Sequence, residues 1–189
     1  MPDQVRGKLV LVVGPSGAGK DSLIAGARQA LADDTRFCFP RRLVTRTAIA
    51  DLEDHQTISR EHFEALRAAG DYFLCWEAHG LGYVLPSSIA GDLSAGHVTV
   101  LNVSRSVLAE AGARFTPCEI VLVTADRNLR AQRLALRGRE TPEEILARLE
   151  RDAPPVPGGL TPHVVDNSGS LPDGIALMAA LLRRLAGSA

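Results

Sequence analysis

Seven consecutive residues, Gly14-Pro15-Ser16-Gly17-Ala18-Gly19-Lys20, follow the pattern of a glycine, four residues, a glycine and a lysine. Glycines at these places let backbone N–H groups turn inward around a phosphate, and the helix that follows presents its positive N-terminal end. Lys20 then reaches the β- and γ-phosphates as a point charge. Asp21 stands where a Ser or Thr usually supplies a hydroxyl to magnesium, and Ser22 is next to it. An acidic residue there can merely complement the helix dipole. It can also take over the metal's protein contact, directly or through water. A carboxylate close to a polyphosphate is repulsive unless a cation lies between them, so Asp21 makes chemical sense as a magnesium residue.

A second group is cationic. Arg127, Arg130, Arg133 and Arg137, with Arg139 just beyond, give segment 127–139 five positive charges and no negative one. At about 100° per residue, Arg130, Arg133 and Arg137 fall within roughly 60° of one another on a helix. A lone helix of this kind is a solvated face. Beside a phosphate loop it supplies the donors that a phosphoryl group in transit needs. Lys20, Arg133 and Arg137 are the candidate catalytic residues, and Arg148 is a weaker member of the set. Further back, Arg41, Arg42 and Arg46 surround a strand-like piece and Glu53-Asp54-His55 follow. These read either as surface charge or as a pocket for an anionic acceptor. Trp76-Glu77-Ala78-His79-Gly80-Leu81-Gly82-Tyr83 sets aromatic and polar groups around glycines, a composition suited to that pocket's wall. His79 fits a structural role and a ligand contact equally. No Ser/His/Asp or Cys/His arrangement stands out.

The elements that must position these groups alternate. Lys8–Val13 is an apolar run closed by Gly14, which predicts a central parallel strand buried on both faces. Leu23, Ile24, Ala27 and Leu31 recur at helical spacing after it. Val98–Val103 and Glu119–Thr124 repeat the strand pattern, each followed by a helical one. His163–Val165 precedes a last amphipathic helix over Gly174–Leu185. Strands alternating with helices predict an α/β fold, a parallel sheet core flanked by helices. The region from Phe37 to Pro86 breaks the alternation, with strand-like pieces at Arg42–Thr45 and Tyr72–Trp76 and a helix capped by Ser59 with Glu61 in its first turn. After Asp126 a helix runs to Arg137 and breaks at Gly138. Thr141-Pro142-Glu143-Glu144 then forms a capping box with Pro at the first helical position. Two helices hinged at a glycine suit a mobile lid. The expected division is therefore a core of residues 1–36, 86–125 and 153–189, an acceptor-binding insertion at about 37–85 and a lid region at about 126–152. Pro154-Pro155-Val156-Pro157-Gly158-Gly159 reads as an irregular loop.

Composition sets the outer bounds. With 189 residues, 46% apolar and 23% charged, the chain is an ordinary globular domain. The longest aliphatic run is too short to span a bilayer, and the first residues lack a signal layout, so a soluble cytoplasmic protein is expected. A formal charge of −1 provides no global field for nucleic acid. Lys8 and Lys20 are the only lysines among 21 basic residues, so few groups qualify for a role needing an ammonium. Cys38, Cys75 and Cys118 have no metal-ligand spacing and read as buried thiols.

Gly14 to Lys20, Thr45-Arg46, the stretch from Ser59 through Gly70, Tyr83, and Arg133 to Arg148 together resemble guanylate kinase over nearly the whole chain. The departures are systematic. The family's second phosphate-binding Arg falls here at Ile49. Its guanine-reading acid falls at Cys75, and the acidic pair after the third core strand is replaced by Asn102-Val103-Ser104-Arg105. Residues 14–23, 41–46, 53–55, 76–81 and 102–105 are similar in wording to the ribose 1,5-bisphosphate phosphokinases of phosphonate breakdown. That resemblance implies ATP as phosphoryl donor with Mg2+, and ribose 1,5-bisphosphate as acceptor, giving 5-phosphoribosyl 1-diphosphate. It implies ATP contacts at Gly14, Pro15, Ser16, Gly17, Ala18, Gly19, Lys20, Asp21 and Ser22, with Asp21 at the metal. Acceptor contacts would come from Arg42, Arg46, Glu53, His55, His79, Tyr83 and Arg105. Two other readings remain open, a nucleoside monophosphate kinase and a non-catalytic guanylate-kinase-like module that binds phosphopeptides. Small-molecule partners are expected, without nucleic acid or membrane, and a homodimer is left open.

Overall fold

Lys8–Val13 forms the middle strand, β1, and its side chains alternate between two separate cores. The computed structural model describes residues 7–46, 55–78, 80–136, 138, 141–150, 156 and 161–187. In chain order the elements after β1 are α1 (Lys20–Ala30), β2 (Phe37–Cys38), β3 (Arg42–Val44), β4 (His55–Thr57), α2 (Arg60–Ala69), β5 (Leu74–Ala78), β6 (Leu81–Leu85) and α3 (Ile89–Ser94). The chain continues through β7 (Val98–Asn102), α4 (Leu108–Arg114), β8 (Cys118–Thr124), α5 (Arg127–Leu136), α6 (Pro142–Glu150), β9 (His163–Asp166) and α7 (Leu171–Gly187).

The first sheet is parallel, in the order β2-β7-β1-β8-β9. Val10 and Val12 point into a core shared with Leu23 and Ala27 of α1 and Met178 and Leu182 of α7. Leu9, Leu11 and Val13 point the other way, against Leu93 of α3 and Leu108 of α4. Both faces are covered, as a parallel sheet requires. Lys8 donates from Nζ to the Leu185 carbonyl near the end of α7 at 2.6 Å, so one of the two lysines closes a helix terminus.

A second sheet, in the order β4-β3-β6-β5, fills the region that breaks the alternation. Phe37–Cys38, expected in the insertion, pairs instead with β7 as an edge of the first sheet. The Tyr72–Trp76 piece is shifted: the strand runs Leu74–Ala78, and its mate β6 carries a glycine, Gly82, that obscured its pattern. Gly82 is required there because a Cβ would come 2.5 Å from the Phe63 ring of α2. Ser59 accepts from the His62 N–H at 3.1 Å and caps α2. At α6, Thr141 N–H donates to Glu144 Oε2 at 2.8 Å and Glu144 N–H donates to Thr141 Oγ1 at 3.3 Å, completing the expected capping box. The last helix begins at Leu171 rather than Gly174 because Ser170 caps it, accepting from Asp173 N–H at 3.3 Å. Apart from Val156, the expected loop at 154–159 lies outside the described residues. Among the described residues, no helix is long and apolar enough to cross a membrane.

Helices α1 and α7 pack at Gly26, where a Cβ would fall inside the Ile175 side chain. Alanine is the better helix former by about 1 kcal/mol, but overpacking costs about 1–3 kcal/mol. Gly26→Ala is therefore expected to lower the urea midpoint. In an Ile175→Ala background the same replacement should become neutral or stabilising, and an equal loss in both backgrounds would refute the contact as the cause.

Candidate active site

Beyond Val13 the chain turns through Gly14–Gly19 into α1. Gly17 (φ 79°) and Gly19 (φ 87°) have left-handed backbones. A Cβ on Gly17 would lie 2.7 Å from the Arg130 carbonyl oxygen, and one on Gly19 would strike the Asn167 amide. Helix α5 and the end of β9 thus press directly on the loop backbone, and only glycine fits. Lys20 donates from Nζ to the carbonyls of Gly14 (2.8 Å) and Pro15 (3.1 Å), which draws its ammonium over the loop. The first-turn N–H groups of α1 lie beside it, without intrahelical acceptors.

Arginines from α5 and α6 close on the same loop. Arg133 donates from Nη2 to the Asn167 carbonyl at 3.0 Å. Arg148, the weaker candidate in the sequence, donates from Nη2 to Ser16 Oγ at 3.0 Å and so touches the loop itself. Arg133 Nη1 and Arg130 Nε are buried without a hydrogen-bond partner among the described residues. Buried guanidinium N–H groups beside a phosphate loop are what a phosphate oxygen would satisfy. Arg137 lies outside the described residues.

Asn167 was not singled out by the sequence. It is 1% exposed, donates from Nδ2 to the Ala18 carbonyl at 2.8 Å, and donates from its backbone N–H to Thr124 at 2.8 Å. Its only local signal is a polar residue directly after the short strand β9.

On the other side of α1, Asp21 Oδ1 accepts from Arg42 Nη2 at 3.0 Å and from Asn102 Nδ2 at 2.7 Å. The Arg42 guanidinium lies 5.9 Å from the centroid of Tyr83, which stacks on Trp76 with centroids 5.2 Å apart. The two stacked rings thus lie beside an arginine. His55 is buried and donates from Nε2 to the Arg46 carbonyl at 3.0 Å, where Thr57 Oγ1 also donates at 3.0 Å. The histidine thereby fixes the backbone of Arg46. Arg105 opens a 3-10 turn after β7, and burial lowers its pKa. Glu77 points away from the wall: Arg60 (2.9 Å) and Arg67 (2.7 Å) hold its carboxyl below the usual carboxylate range. Glu53 and His79 lie outside the described residues.

The donor set fits magnesium. Asp21 Oδ2 takes no hydrogen bond among the described residues, and Ser22 adds an exposed hydroxyl in the same helical turn. The cysteines are partly buried free thiols, and burial together with Glu119 pushes Cys118 up to about 11. Cys38, with Asp92 and His97, brings donor atoms within 4.8 Å of one another, but at the N-terminal edge of the sheet, away from the loop.

No protein-family model matches the chain. Among curated proteins it is 46% identical over 178 residues to ribose 1,5-bisphosphate phosphokinase PhnN of Methylobacterium radiotolerans, covering 94% of this chain and 98% of the relative. It is 43% identical over 169 residues to the protein of that name from Brucella melitensis, covering 89% and 88%. The chain belongs to the ribose 1,5-bisphosphate phosphokinase family. The same unit also occurs within longer proteins: a bifunctional ribose 1,5-bisphosphokinase-thymidine phosphorylase of Cupriavidus pinatubonensis is 41% identical, with the match covering 29% of its length. Among solved structures, guanylate kinase from Anaplasma phagocytophilum superimposes with a TM-score of 0.67 at 17% identity, covering 100% of this chain and 90% of that one. The phosphokinase thus has a guanylate-kinase-like P-loop fold.

In this phosphokinase, the buried Asn167 amide ties β9 to the phosphate loop. Asn167→Ala should cost about 1–3 kcal/mol of stability by leaving the Ala18 carbonyl without that donor. Asn167→Asp adds a carboxylate beside the loop, and its ATP affinity should fall further, by at least about tenfold, or about 1.4 kcal/mol. Calorimetric ATP binding checks the order; an Asp variant binding ATP as tightly as the Ala variant would contradict it.

Proposed function

We propose that this chain transfers the γ-phosphoryl group of ATP to ribose 1,5-bisphosphate, yielding 5-phosphoribosyl 1-diphosphate and ADP. The observation that carries the reading is the pairing of an intact phosphate loop with Arg42 held beside it at Asp21, in a chain kin to phosphokinases of that name. An oxygen of the anomeric phosphate attacks the γ-phosphorus, and the bond from that phosphorus to the β,γ-bridging oxygen breaks, leaving its electron pair on ADP. The attacking oxygen is already ionised near neutral pH, so no strong general base is needed. Catalysis is then positioning and charge neutralisation.

Lys20 would hold the β- and γ-oxygens, and Arg133 and Arg137 the phosphoryl group in transit. Asp21 Oδ2 would hold magnesium, which would supply positive charge to offset that of the phosphates. Arg42, Arg46 and Arg105 would receive the acceptor's phosphates, Glu53, His79 and Tyr83 would also serve acceptor binding, and His55 would act through Arg46. The proposal places the reaction in the cytoplasm, where both charged substrates are retained.

A guanine acceptor suits this site poorly. Cys75 occupies the position of the guanine-reading acid in the guanylate kinase pattern. It packs against the Ile58, Phe63 and Val84 cluster, and burial raises its pKa, so it offers no carboxylate to a base. A base edge left unpaired in a buried site is strongly rejected.

Coupled assays of ADP release with both acceptors test the assignment. Ribose 1,5-bisphosphate should be used about 100-fold more efficiently than GMP, or about 2.7 kcal/mol of discrimination. Equal use of GMP would return the chain to nucleotide kinases, and tight phosphopeptide binding without turnover would favour a binding module. Lys20→Ala should lose about 3–4 kcal/mol of transition-state stabilisation while melting normally. A folded variant with near-normal turnover would sink the role of Lys20.

A further inference from the structure

Asp21 belongs to the phosphate loop by sequence, yet its side-chain hydrogen bonds run to the acceptor side. Oδ1 accepts from Arg42 at 3.0 Å and from Asn102, at the end of β7, at 2.7 Å. The Arg42 side chain is 16% exposed and that of Asp21 30% exposed. Behind the pair lies a small cavity of about 30 Å³, floored by Ile24, Phe39 and Val100. The guanidinium is thus confined by the cavity wall, the Tyr83 ring and the carboxylate. A guanidinium carries five N–H donors in a rigid fork. One goes to Asp21, and the others take no hydrogen bond among the described residues.

The residue type matters here. A Ser or Thr hydroxyl, usual at this place in a phosphate loop, serves a metal but is neutral and shorter. It brings no counter-charge, so it cannot form an ion pair with an arginine on a different sheet. Aspartate can, because its carboxylate is charged and reaches Arg42 through Oδ1, while Oδ2 takes no hydrogen bond among the described residues. Asn102 makes the arrangement specific, since its amide occupies the second lone pair of Oδ1 and sets the carboxylate's rotation.

We propose that Asp21 is a positioning residue for the acceptor: through Oδ1, with Asn102 as second tether, it fixes the Arg42 fork so that its remaining N–H groups meet an acceptor phosphate. The inference rests on the bisphosphate reading above and adds to Asp21 a role separate from its metal contact. Its sign is diagnostic. Removing a negative charge beside an anionic acceptor tightens binding if Coulomb repulsion dominates, whereas removing a tether weakens it.

Asp21→Ser restores the usual loop residue and keeps an oxygen for the metal, and Asp21→Asn keeps Oδ1 as an acceptor for both donors. Calorimetric titration with ribose 1,5-bisphosphate, without nucleotide and in chelator, isolates the acceptor role from the metal. Asp21→Ser should raise the acceptor Kd by at least about tenfold, the scale of one hydrogen bond to a charged group. Asp21→Asn should stay within about threefold of wild type, and Asn102→Ala should weaken binding by about threefold. In steady state with magnesium, Asp21→Ser should raise the KM for the acceptor and leave that for ATP within about twofold. Adding Arg42→Ala to Asp21→Ser should cost less than it does in wild type. Acceptor binding by Asp21→Ser that equals or exceeds wild type would overturn the inference while leaving the acceptor assignment standing. A wild-type protein that does not bind ribose 1,5-bisphosphate would overturn the assignment itself, and this inference with it.

Discussion

The buried amide of Asn167 donating to the Ala18 carbonyl is the contact on which the rest of the site depends. Backbone N–H groups can turn inward around a phosphate only if the carbonyls of the same residues turn outward, and an outward carbonyl inside a protein must be met by a donor. Asn167 supplies that donor with its side chain. Its backbone N–H extends the β8–β9 ladder at Thr124, and its own carbonyl receives Arg133. One residue thereby joins the loop, the sheet and the arginine-bearing α5 through three hydrogen bonds. The close approach that makes Gly19 obligatory follows from the same contact.

The site's positive charge is distributed on two sides of α1, and the two sides are anchored differently. On the donor side Lys20, Arg133 and Arg148 rest on carbonyl and hydroxyl oxygens of the loop and of β9's end. Such dipoles orient a cation without cancelling its charge, which suits groups that must stabilise a phosphoryl in transit. On the acceptor side Arg42 rests on a carboxylate and an aromatic ring. A full counter-charge fixes the guanidinium more firmly, at the cost of part of its field. Rigid placement serves recognition of an acceptor, whereas retained charge serves the transition state.

Local chemistry was legible in the sequence and distant chemistry was not. The phosphate loop, β1, the Ser59 cap and the Thr141–Glu144 box depend on neighbours a few residues away, and each stands where its residues predict. Strands β2, β4 and β6 were missed for reasons of length and context. β2 has two residues, β4 has three, and β6 carries Gly82 for the sake of Phe63 on a different element. Asn167 was invisible because its side-chain partner is 149 positions away, so no window on the sequence contains both. The contact that His55 makes was not legible, because the Arg46 carbonyl reaches it only once β3 and β4 pair. Arg148 was underweighted for the same reason, its hydroxyl partner lying in the loop at Ser16.

The chain keeps a guanylate-kinase-like frame at 17% identity to a solved guanylate kinase. The two-sided core of β1 and the loop glycines serve any phosphoryl donor of this type. In the proposed reading the acceptor is set by a few residues of the strands, two of them at strand ends, where side chains change without disturbing the ladders. Asn102 ends β7, Arg42 begins β3 and Cys75 lies within β5 against an apolar cluster. Placing a thiol where a base would need a carboxylate removes one kind of recognition. Placing an arginine within reach of Asp21 adds another, and the two changes are complementary. An arginine brought to this place without a partner would bury a charge with nothing to orient it. Asp21 in the loop, Asn102 on β7 and Arg42 on β3 therefore act as one hydrogen-bonded unit drawn from three parts of the chain.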